Sequence, residues 1–255
     1  GSPPSLEGAE AALMISEVEG AAVSLGAFEI AQSTIDPAFA GELARRSTGG
    51  PPVRMRKGQA HFALHLRSPD ALGGVADPNR ALNRHVRPLL HALQTLGAPA
   101  VSGGRDIVLV RGEPIAWIGV RHSRATKELG IEAIVSIASD FAIPHEIDLA
   151  HSAIAPRFVG KTPGILRDLE ASRVIDSIVE TYRALADGEV ATFEAHASTA
   201  LDPKRDERPF DALVEESIGL IGARIDDECV VLGGDLMASY DALDDLGREL
   251  HRIGP

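Results

Sequence analysis

Alternating apolar and polar positions predict β-strands in five stretches of the chain. Where two such runs are joined by a short polar turn, the pattern is typical of a β-hairpin. The predicted strands lie in residues 12–29 (two strands with a turn near Gly20), 58–66, 105–123 (a hairpin that turns at 111–114), 131–138 and 228–234.

Apolar residues recur every three or four positions elsewhere, which predicts helices. The clearest helix is residues 77–99, where Gly97 and Pro99 end the pattern and Pro88 is expected to kink it. Further helices are predicted over 36–44 (with Asp36 as N-cap), 172–188, 210–225 and 239–254, and an exposed loop over 202–209.

The order of these elements indicates an α+β fold. Hairpins join most of the strands, whereas a doubly wound parallel sheet needs a helical crossover between successive strands. The length of 255 residues, 44% of them hydrophobic, suits one large domain, or one domain plus a small appendage.

Composition limits the class of protein further. No apolar run approaches the ~18 residues of a membrane span, and no signal-peptide pattern is evident. The single cysteine, Cys229, excludes an internal disulfide and cysteine-rich zinc sites. We therefore expect a cytoplasmic protein with no membrane partner.

Charge is unevenly distributed along the chain. The net charge is -6 for residues 1–41, +9 for 42–127 and -15 for 128–255, which gives -12 in total. A basic segment inside an acidic protein is suited to gathering arginines and lysines around one small anion. No nucleic-acid partner is expected, because the net charge would repel a long polyanion and aromatic residues for base stacking are only 4% of the chain.

The basic segment opens with RRSTGGPPVRMRKGQ, residues 45–59. Gly49 and Gly50 allow backbone N–H groups to approach an anion closely. Arg45 and Arg46 offer planar forks for a phosphate or carboxylate, although a strand would direct only one of them toward a given face. The alternative for this motif is a solvated basic loop with a glycine turn.

Three motifs occur in order along the chain: RRSTGGPPV…GQ, GGRDIVLVRGEPIAWIGVR and RFVGKTPGILRDL. Their order and spacing resemble the lipoate–protein ligase and octanoyl transferase family, whose fold the biotin–protein ligases share. The resemblance covers roughly residues 10–187. It implies a biotin/lipoate ligase-like domain in residues 3–188, built of largely antiparallel sheets with flanking helices, and a small accessory C-terminal region in 189–255.

The resemblance also implies a cofactor site. The first motif is similar to the stretch that lines the family's acyl-adenylate pocket, which makes Arg45, Arg46, Thr48, Gly49 and Gly50 candidates for cofactor binding. Gln59, which with Gly58 resembles the end of the transferases' His-Gly-Pro-Gly-Gln, and Asp106 and Arg121 of the hairpin motif are added to this set. The implied cofactor is an acyl-adenylate, or ATP with Mg²⁺. The implied partners are a lipoyl-domain or acyl-carrier protein and a small anionic acyl ligand.

The sequence departs from the family where its chemistry lies. Pro114 stands at the position of the family's catalytic lysine, and a proline has no amine for acyl transfer. The stretch DFAIPHEIDL, residues 140–149, lacks the cysteine nucleophile of the octanoyl transferases. Lys161, Lys57 and Lys127 are the candidates to replace these groups, and each is also compatible with an ordinary surface lysine.

Histidines form a further set of candidates. His61 and His65 lie four residues apart in a predicted strand, and therefore on one face of it. They suit either a metal pair with no evident third ligand or two structural histidines, and no metal site is predicted. His145 lies near the position of the transferases' cysteine, or is an ordinary polar loop residue. Trp117 is predicted to be core or pocket wall.

Three functions remain open on the sequence. The first is an enzyme that transfers or ligates lipoate, octanoate or a related acid onto a carrier-protein lysine, without the usual lysine and cysteine. The second is a catalytically inactive relative that binds an acyl-cofactor, a nucleotide or a partner protein. The third is a divergent enzyme that uses the same cleft for another anion, such as a CoA thioester.

Overall fold

The computed structural model describes residues 8–36, 39–74, 77–104, 106–141, 162–186, 188, 190–191, 208–216, 219–226, 229–234 and 236–253. Its largest sheet contains the strands β1 (Ala11–Glu17), β5 (Gln59–Leu66), β6 (Ala100–Ser102), β7 (Ile107–Val110), β8 (Glu113–His122) and β9 (Leu129–Ser136). The strand order is β1-β5-β9-β8-β7-β6, and every neighbouring pair is antiparallel. The predicted strands in 58–66 and 131–138 and the hairpin in 105–123 are confirmed.

Two helices, α2 (Pro78–Thr95) and α3 (Ala171–Arg183), cover one face of this sheet. Apolar side chains such as Phe62 of β5 and Leu89 of α2 form the main hydrophobic core between the two layers. The Tyr182 hydroxyl donates a hydrogen bond to the carbonyl of His85, which ties α3 to α2. The helices predicted over 77–99 and 172–188 are confirmed, and α2 continues through Pro88.

A second, three-stranded sheet contains β2 (Ala22–Leu25), β3 (Leu43–Arg45) and β4 (Val53–Met55) in the order β3-β2-β4. The two strands predicted in 12–29 are confirmed as β1 and β2. The helix predicted over 36–44 is wrong for the described residues 39–44, because the chain there runs into β3, which pairs in parallel with β2. A four-residue helix, α1 (Ala31–Thr34), lies earlier instead.

The C-terminal part contains a third sheet and a helix. The strands β10 (Ala212–Glu216), β11 (Gly219–Asp226) and β12 (Cys229–Gly234) form an antiparallel meander, and α4 (Tyr240–Ile253) packs on β12. The strand predicted over 228–234 and the helix over 239–254 are confirmed. The helix predicted over 210–225 is wrong for the described residues, because 212–216 and 219–225 lie in the strands β10 and β11, which pair antiparallel and gain ladder hydrogen bonds from each other.

No helix within the described ranges is both long enough and apolar enough to cross a bilayer.

Candidate functional site

The face of the six-stranded sheet opposite α2 and α3 carries polar side chains. Because side chains alternate along a strand, His61 and His65 of β5, Glu132 of β9 and Arg121 of β8 share this face, while Phe62 lies in the core. The second sheet and the residues between β3 and β4 lie over it, and we call it the covered face.

Residues 46–51, which we call the glycine loop, rest directly on the covered face. Three successive backbone N–H groups of the loop donate hydrogen bonds within the protein. The amide of Thr48 donates to the Glu132 carboxylate (3.3 Å), that of Gly49 to the Val120 carbonyl (3.1 Å) and that of Gly50 to the Leu236 carbonyl (2.9 Å). The loop is thereby held to β9, to β8 and to the C-terminal part at once.

Glycine is required where the loop meets the sheet. A Cβ atom on Gly119 of β8 would collide with the Trp117 ring and would lie 2.5 Å from Thr48 Oγ1 and 2.8 Å from the Gly49 carbonyl oxygen. Gly50 has φ +101°, and a Cβ there would lie 2.6 Å from the Trp117 ring. Gly50 of the motif and Gly119 of β8 therefore serve close packing of loop against sheet, while Gly49 lies against the Leu236 carbonyl.

Both arginines of the motif bind backbone carbonyls. Arg46 is buried, stacks over the Trp117 ring with its guanidinium carbon 4.0 Å from the ring centroid, and donates to the carbonyls of Ser24 (2.7 Å) and Gly50 (2.7 Å). Arg45 donates to the Gly26 carbonyl (3.2 Å) and to the carbonyl of Glu29. The two guanidinium groups thus hold β2, the glycine loop and the segment after β2 together.

Glu132 is the polar centre of the covered face. Its side chain lies in a strand whose other members are apolar or small, and it is only 7% exposed. Its carboxylate accepts hydrogen bonds from the hydroxyls of Thr48 (2.5 Å) and Ser47 (3.5 Å) in addition to the Thr48 amide. These bonds compensate for removing a carboxylate from water, which is otherwise very costly.

Burial favours the neutral form of the histidines on this face. Desolvation lowers the pKa of His61 and of His65, and the nearby Glu132 carboxylate opposes the shift in both. The positive charge of Arg121 lowers the pKa of His65 further. Among the residues that the structure describes, no group of three His, Cys, Asp or Glu side chains is placed to hold a metal ion.

The C-terminal part closes the site from the other side. The Tyr240 ring packs on Phe28 with centroids 4.6 Å apart, and burial raises the pKa of its hydroxyl. Asp241 accepts hydrogen bonds from the backbone amides of Arg124 (2.7 Å) and Ala125 (3.0 Å) in the turn between β8 and β9. The first turn of α4 therefore docks on the main sheet beside the glycine loop.

Two other predicted site residues have structural contacts. Gln59 is fully buried, and its amide accepts from the Arg56 backbone (2.8 Å) and donates to the carbonyls of Asp140 (2.6 Å) and Arg54 (3.1 Å). Asp106 is buried just before β7, where its carbonyl accepts from the Ile118 amide at 2.8 Å. Gln59 thus fixes the turn into β5.

The described candidate lysines lie at opposite ends of the sheet. Lys57 is exposed in the turn before β5, and Lys127 is exposed in the turn before β9. Since β5 and β9 are antiparallel over their full length, the two turns are separated by about 23 Å. Pro114 is buried at the Lys57 end, and its carbonyl accepts a hydrogen bond from the Gly164 amide at 3.0 Å. Lys161 and His145 lie outside the described residues.

Sequence reasoning missed the central role of Glu132. A signal was available, because a single carboxylate inside the apolar strand LGIEAIVS is rarely buried without a partner. Trp117 was placed correctly as core or wall, and the structure shows it fully buried against Val53 and Ile134. Its role as the platform under Arg46 follows only from the three-dimensional contact.

Solved structures similar to this chain include lipoate–protein ligases. The bi-partite lipoate protein ligase of Thermoplasma acidophilum is 17% identical with a TM-score of 0.54, over 69% of this chain and 71% of that chain. LipL1 of P. falciparum in complex with lipoate is 10% identical with a TM-score of 0.63, over 93% of this chain and 76% of that one. Lipoate-protein ligase A bound with ATP is 14% identical with a TM-score of 0.53, over 69% and 72%.

No protein-family model and no curated protein sequence matches the chain. At these low identities the structural likeness establishes the fold. The chain has the lipoate–protein ligase-like fold, in a divergent form, with mixed α+β architecture and large antiparallel sheets.

Proposed function

We propose that this protein handles a lipoate-type or medium-chain acyl group at the covered face and passes it to a lysine of a carrier protein. The observation that carries the proposal is the basic glycine loop seated on a polar sheet face, within a fold shared with lipoate-bound and ATP-bound ligases. Acyl transfer needs positive charge where the carbonyl oxygen becomes negative. Arg46 and Arg121 on this face are suited to that task.

The implied acyl-adenylate, or ATP with Mg²⁺, fits the donor chemistry of the glycine loop. Hydroxyls, backbone amides and guanidinium groups are the donors that bind phosphate oxygens. When bound, an adenylate would supply an activated acyl carbonyl. In this structure the loop amides are bonded to protein oxygens, so the protein must exchange internal hydrogen bonds for ligand contacts.

A replacement for the missing catalytic amine is best sought at Lys57. This lysine lies at the same end of the sheet as Pro114, whereas Lys127 lies at the opposite end. In the transfer, the carrier lysine forms an amide bond as the bond from the acyl carbon to its phosphate or thiol leaving group breaks. An ammonium at the Lys57 end would stabilise that leaving group and the developing oxyanion.

A second function is favoured by a different observation. Pro114 has no amine and its carbonyl is already bonded to Gly164, and all three successive loop amides have protein partners. These features favour a catalytically inactive relative that binds an acyl ligand or a carrier domain. The two functions share the ligand class and differ in whether a covalent product forms.

The test is intact mass spectrometry of an apo lipoyl domain incubated with the protein. One reaction contains lipoate, ATP and Mg²⁺, and the other contains octanoyl carrier protein. We expect the mass of a lipoyl or octanoyl group to be added in one of them, and Lys57→Ala to reduce the rate about 100-fold or more. Lys57→Arg, which keeps the charge, is expected to restore part of the rate.

The outcomes separate the functions. Loss of product with Lys127→Ala rather than Lys57→Ala would contradict the assignment of the amine. No product in either reaction would exclude the transfer function. Calorimetric binding of lipoate, octanoate or the lipoyl domain to the same protein would then support the inactive relative, and its absence would overturn both functions.

A further inference from the structure

The Glu132 carboxylate is bonded by the glycine loop in the way that an external anion would be. The Thr48 hydroxyl and amide converge on one carboxylate oxygen, at 2.5 and 3.3 Å, and the Ser47 hydroxyl approaches the other at 3.5 Å. Hydroxyls and a backbone amide from consecutive residues form a typical donor set for a phosphate or carboxylate. The loop therefore already contains an assembled oxyanion site, and its occupant belongs to the protein.

Positively charged side chains lie on the same face of the sheet as this site. Arg46 acts electrostatically on His61 together with Glu132, and Arg121 acts on His65 together with Glu132. Tyr240, at the start of α4, is influenced by Arg45, Arg121 and Glu132 at once. Arg121 shares the covered face with Glu132, and the Arg46 guanidinium lies over the Trp117 ring of that face, so the surroundings of the carboxylate favour a negative group.

The neighbours of Glu132 on β5 offer its side chain alternative partners. Ala63 of β5 is directly opposite Glu132 on one side, and on the other side Gly119 of β8 is covered by the Trp117 ring and the glycine loop. His61 and His65 occupy the two diagonal positions on β5, within reach of a long side chain. A carboxylate that leaves the loop therefore has two imidazoles as new partners, and the carboxylate favours their protonation.

We infer that Glu132 is an internal substitute for the ligand's oxyanion, and that a phosphate or carboxylate group binds to Ser47 and Thr48 by displacing it. The ligand gains the loop donors and the surrounding guanidinium groups, and Glu132 turns toward the histidines. The inference rests on the proposed function only for the statement that the anion carries an acyl chain. The displacement of Glu132 by an anion is inferred from the contacts of Glu132 alone.

The test compares anion binding by the unchanged protein and by Glu132→Gln, using inorganic phosphate in one titration and sodium octanoate in another. The glutamine keeps the shape of the side chain and removes its charge. Because a like charge at contact distance shifts a proton equilibrium by one to three powers of ten, we expect Glu132→Gln to bind at least about tenfold more tightly. The phosphate and octanoate titrations distinguish a phosphoryl group from an acyl carboxylate.

Three further variants make the outcome specific. Glu128→Gln removes a carboxylate that also acts on His65 but does not contact the glycine loop, and it is expected to leave anion affinity unchanged. Thr48→Val added to Glu132→Gln is expected to cancel the gain. Glu132→Ala serves as a second test of displacement, with folding checked by circular dichroism.

Equal affinities for Glu132→Gln and the unchanged protein, for both anions, would overturn the inference. So would a gain that persists after Thr48→Val, because the anion would then bind elsewhere. These titrations do not require any acyl transfer, so a negative transfer assay leaves them intact. A positive transfer assay together with unchanged anion affinity would overturn displacement while retaining the proposed function.

Discussion

Glycine at position 119 is required by three neighbours at once. A methyl group there would meet the Trp117 ring, the Thr48 hydroxyl and the Gly49 carbonyl, all of which are themselves fixed by other contacts. The consequence is that the glycine loop can rest on β8 without a gap. The tight fit between loop and sheet therefore depends on the absence of one side chain.

Gly119→Ala is expected to destabilise the protein by about 1–3 kcal/mol, because an added methyl group in a closely packed site forces its neighbours apart. Urea unfolding followed by circular dichroism would measure the free energy of unfolding. Gly20→Ala is the matched control, since a Cβ at Gly20 meets no atom within 4 Å. An equal effect of the two substitutions would contradict the packing argument.

The sequence offered candidate residues for the site but not their partners. Arg45, Arg46 and Thr48 are candidates because basic, hydroxyl and glycine residues follow one another in a single motif. Glu132 lies 84 residues away from Thr48, and its place beside the loop depends on the register of β9. The local pattern therefore pointed to one residue of this contact, and only the tertiary fold identified its partner.

At the scale of elements, β5 contributes two histidines to the covered face and apolar side chains to the core on its other face. The residues between them face the helices or are small, so the strand satisfies both layers by simple alternation. Burial lowers the pKa of both imidazoles from the ordinary value of 6.5, and also that of His85 in α2. Folding therefore favours the neutral form of all three.

This arrangement predicts a loss of stability in mild acid. Below pH 6.5 the unfolded chain binds protons at these histidines while the folded protein resists them, so the free energy of unfolding falls as pH falls. The slope is up to about 1.4 kcal/mol per pH unit for each imidazole, until the folded-state pKa is reached. Urea unfolding between pH 5 and 7.5 would measure it.

His65→Gln is expected to flatten this pH dependence, because it removes one buried titrating group. His91→Gln changes an exposed histidine of α2 and serves as the comparison. The carboxyl groups whose pKa is lowered, such as Asp241 and Glu249, lose their stabilising effect mainly below the ordinary carboxyl pKa and contribute little in most of this window. A slope that is the same with and without His65 would contradict the prediction.

The two incorrect element predictions have a common cause. Residues 39–44 and 210–225 are rich in alanine, leucine and glutamate, which favour helix locally. In the structure the end of the first segment lies in β3, which pairs with β2. The second segment contains β10 and β11, which pair with each other, and β11 also pairs with β12. The ladder hydrogen bonds outweigh the weak local preference for helix. Long amphipathic helices such as α2 were predicted correctly because their apolar stripe is itself the packing surface.

At the scale of the whole molecule, the C-terminal part is integrated with the main sheet. Asp241 accepts hydrogen bonds from two amides of the β8–β9 turn, and Arg124 of that turn forms an ion pair with Asp245 at 3.7 Å. The Leu236 carbonyl accepts from Gly50 in the glycine loop. Movement of the C-terminal part is therefore coupled to the loop that forms the candidate site.

Asp241→Ala is expected to weaken this docking, because the turn amides lose their acceptor. Hydrogen–deuterium exchange is expected to quicken at the amides of Arg124 and Ala125, and at Gly50 if the coupling extends to the loop. Asp244→Ala changes an exposed carboxylate of the same helix and provides the control. Unchanged exchange in the β8–β9 turn would show that Asp241 does not hold the two parts together.

The sequence by itself determined the α+β class, the principal helices, most strands and the position of the basic glycine motif. It could do so because hydrophobic periodicity and glycine-rich chemistry are local properties of the chain. Only the tertiary structure decided that Glu132 accepts hydrogen bonds from the glycine loop, that Arg46 stacks on Trp117, and that Lys57 and Lys127 lie far apart. Those facts depend on strand register and on packing between residues distant in sequence, which no local pattern encodes.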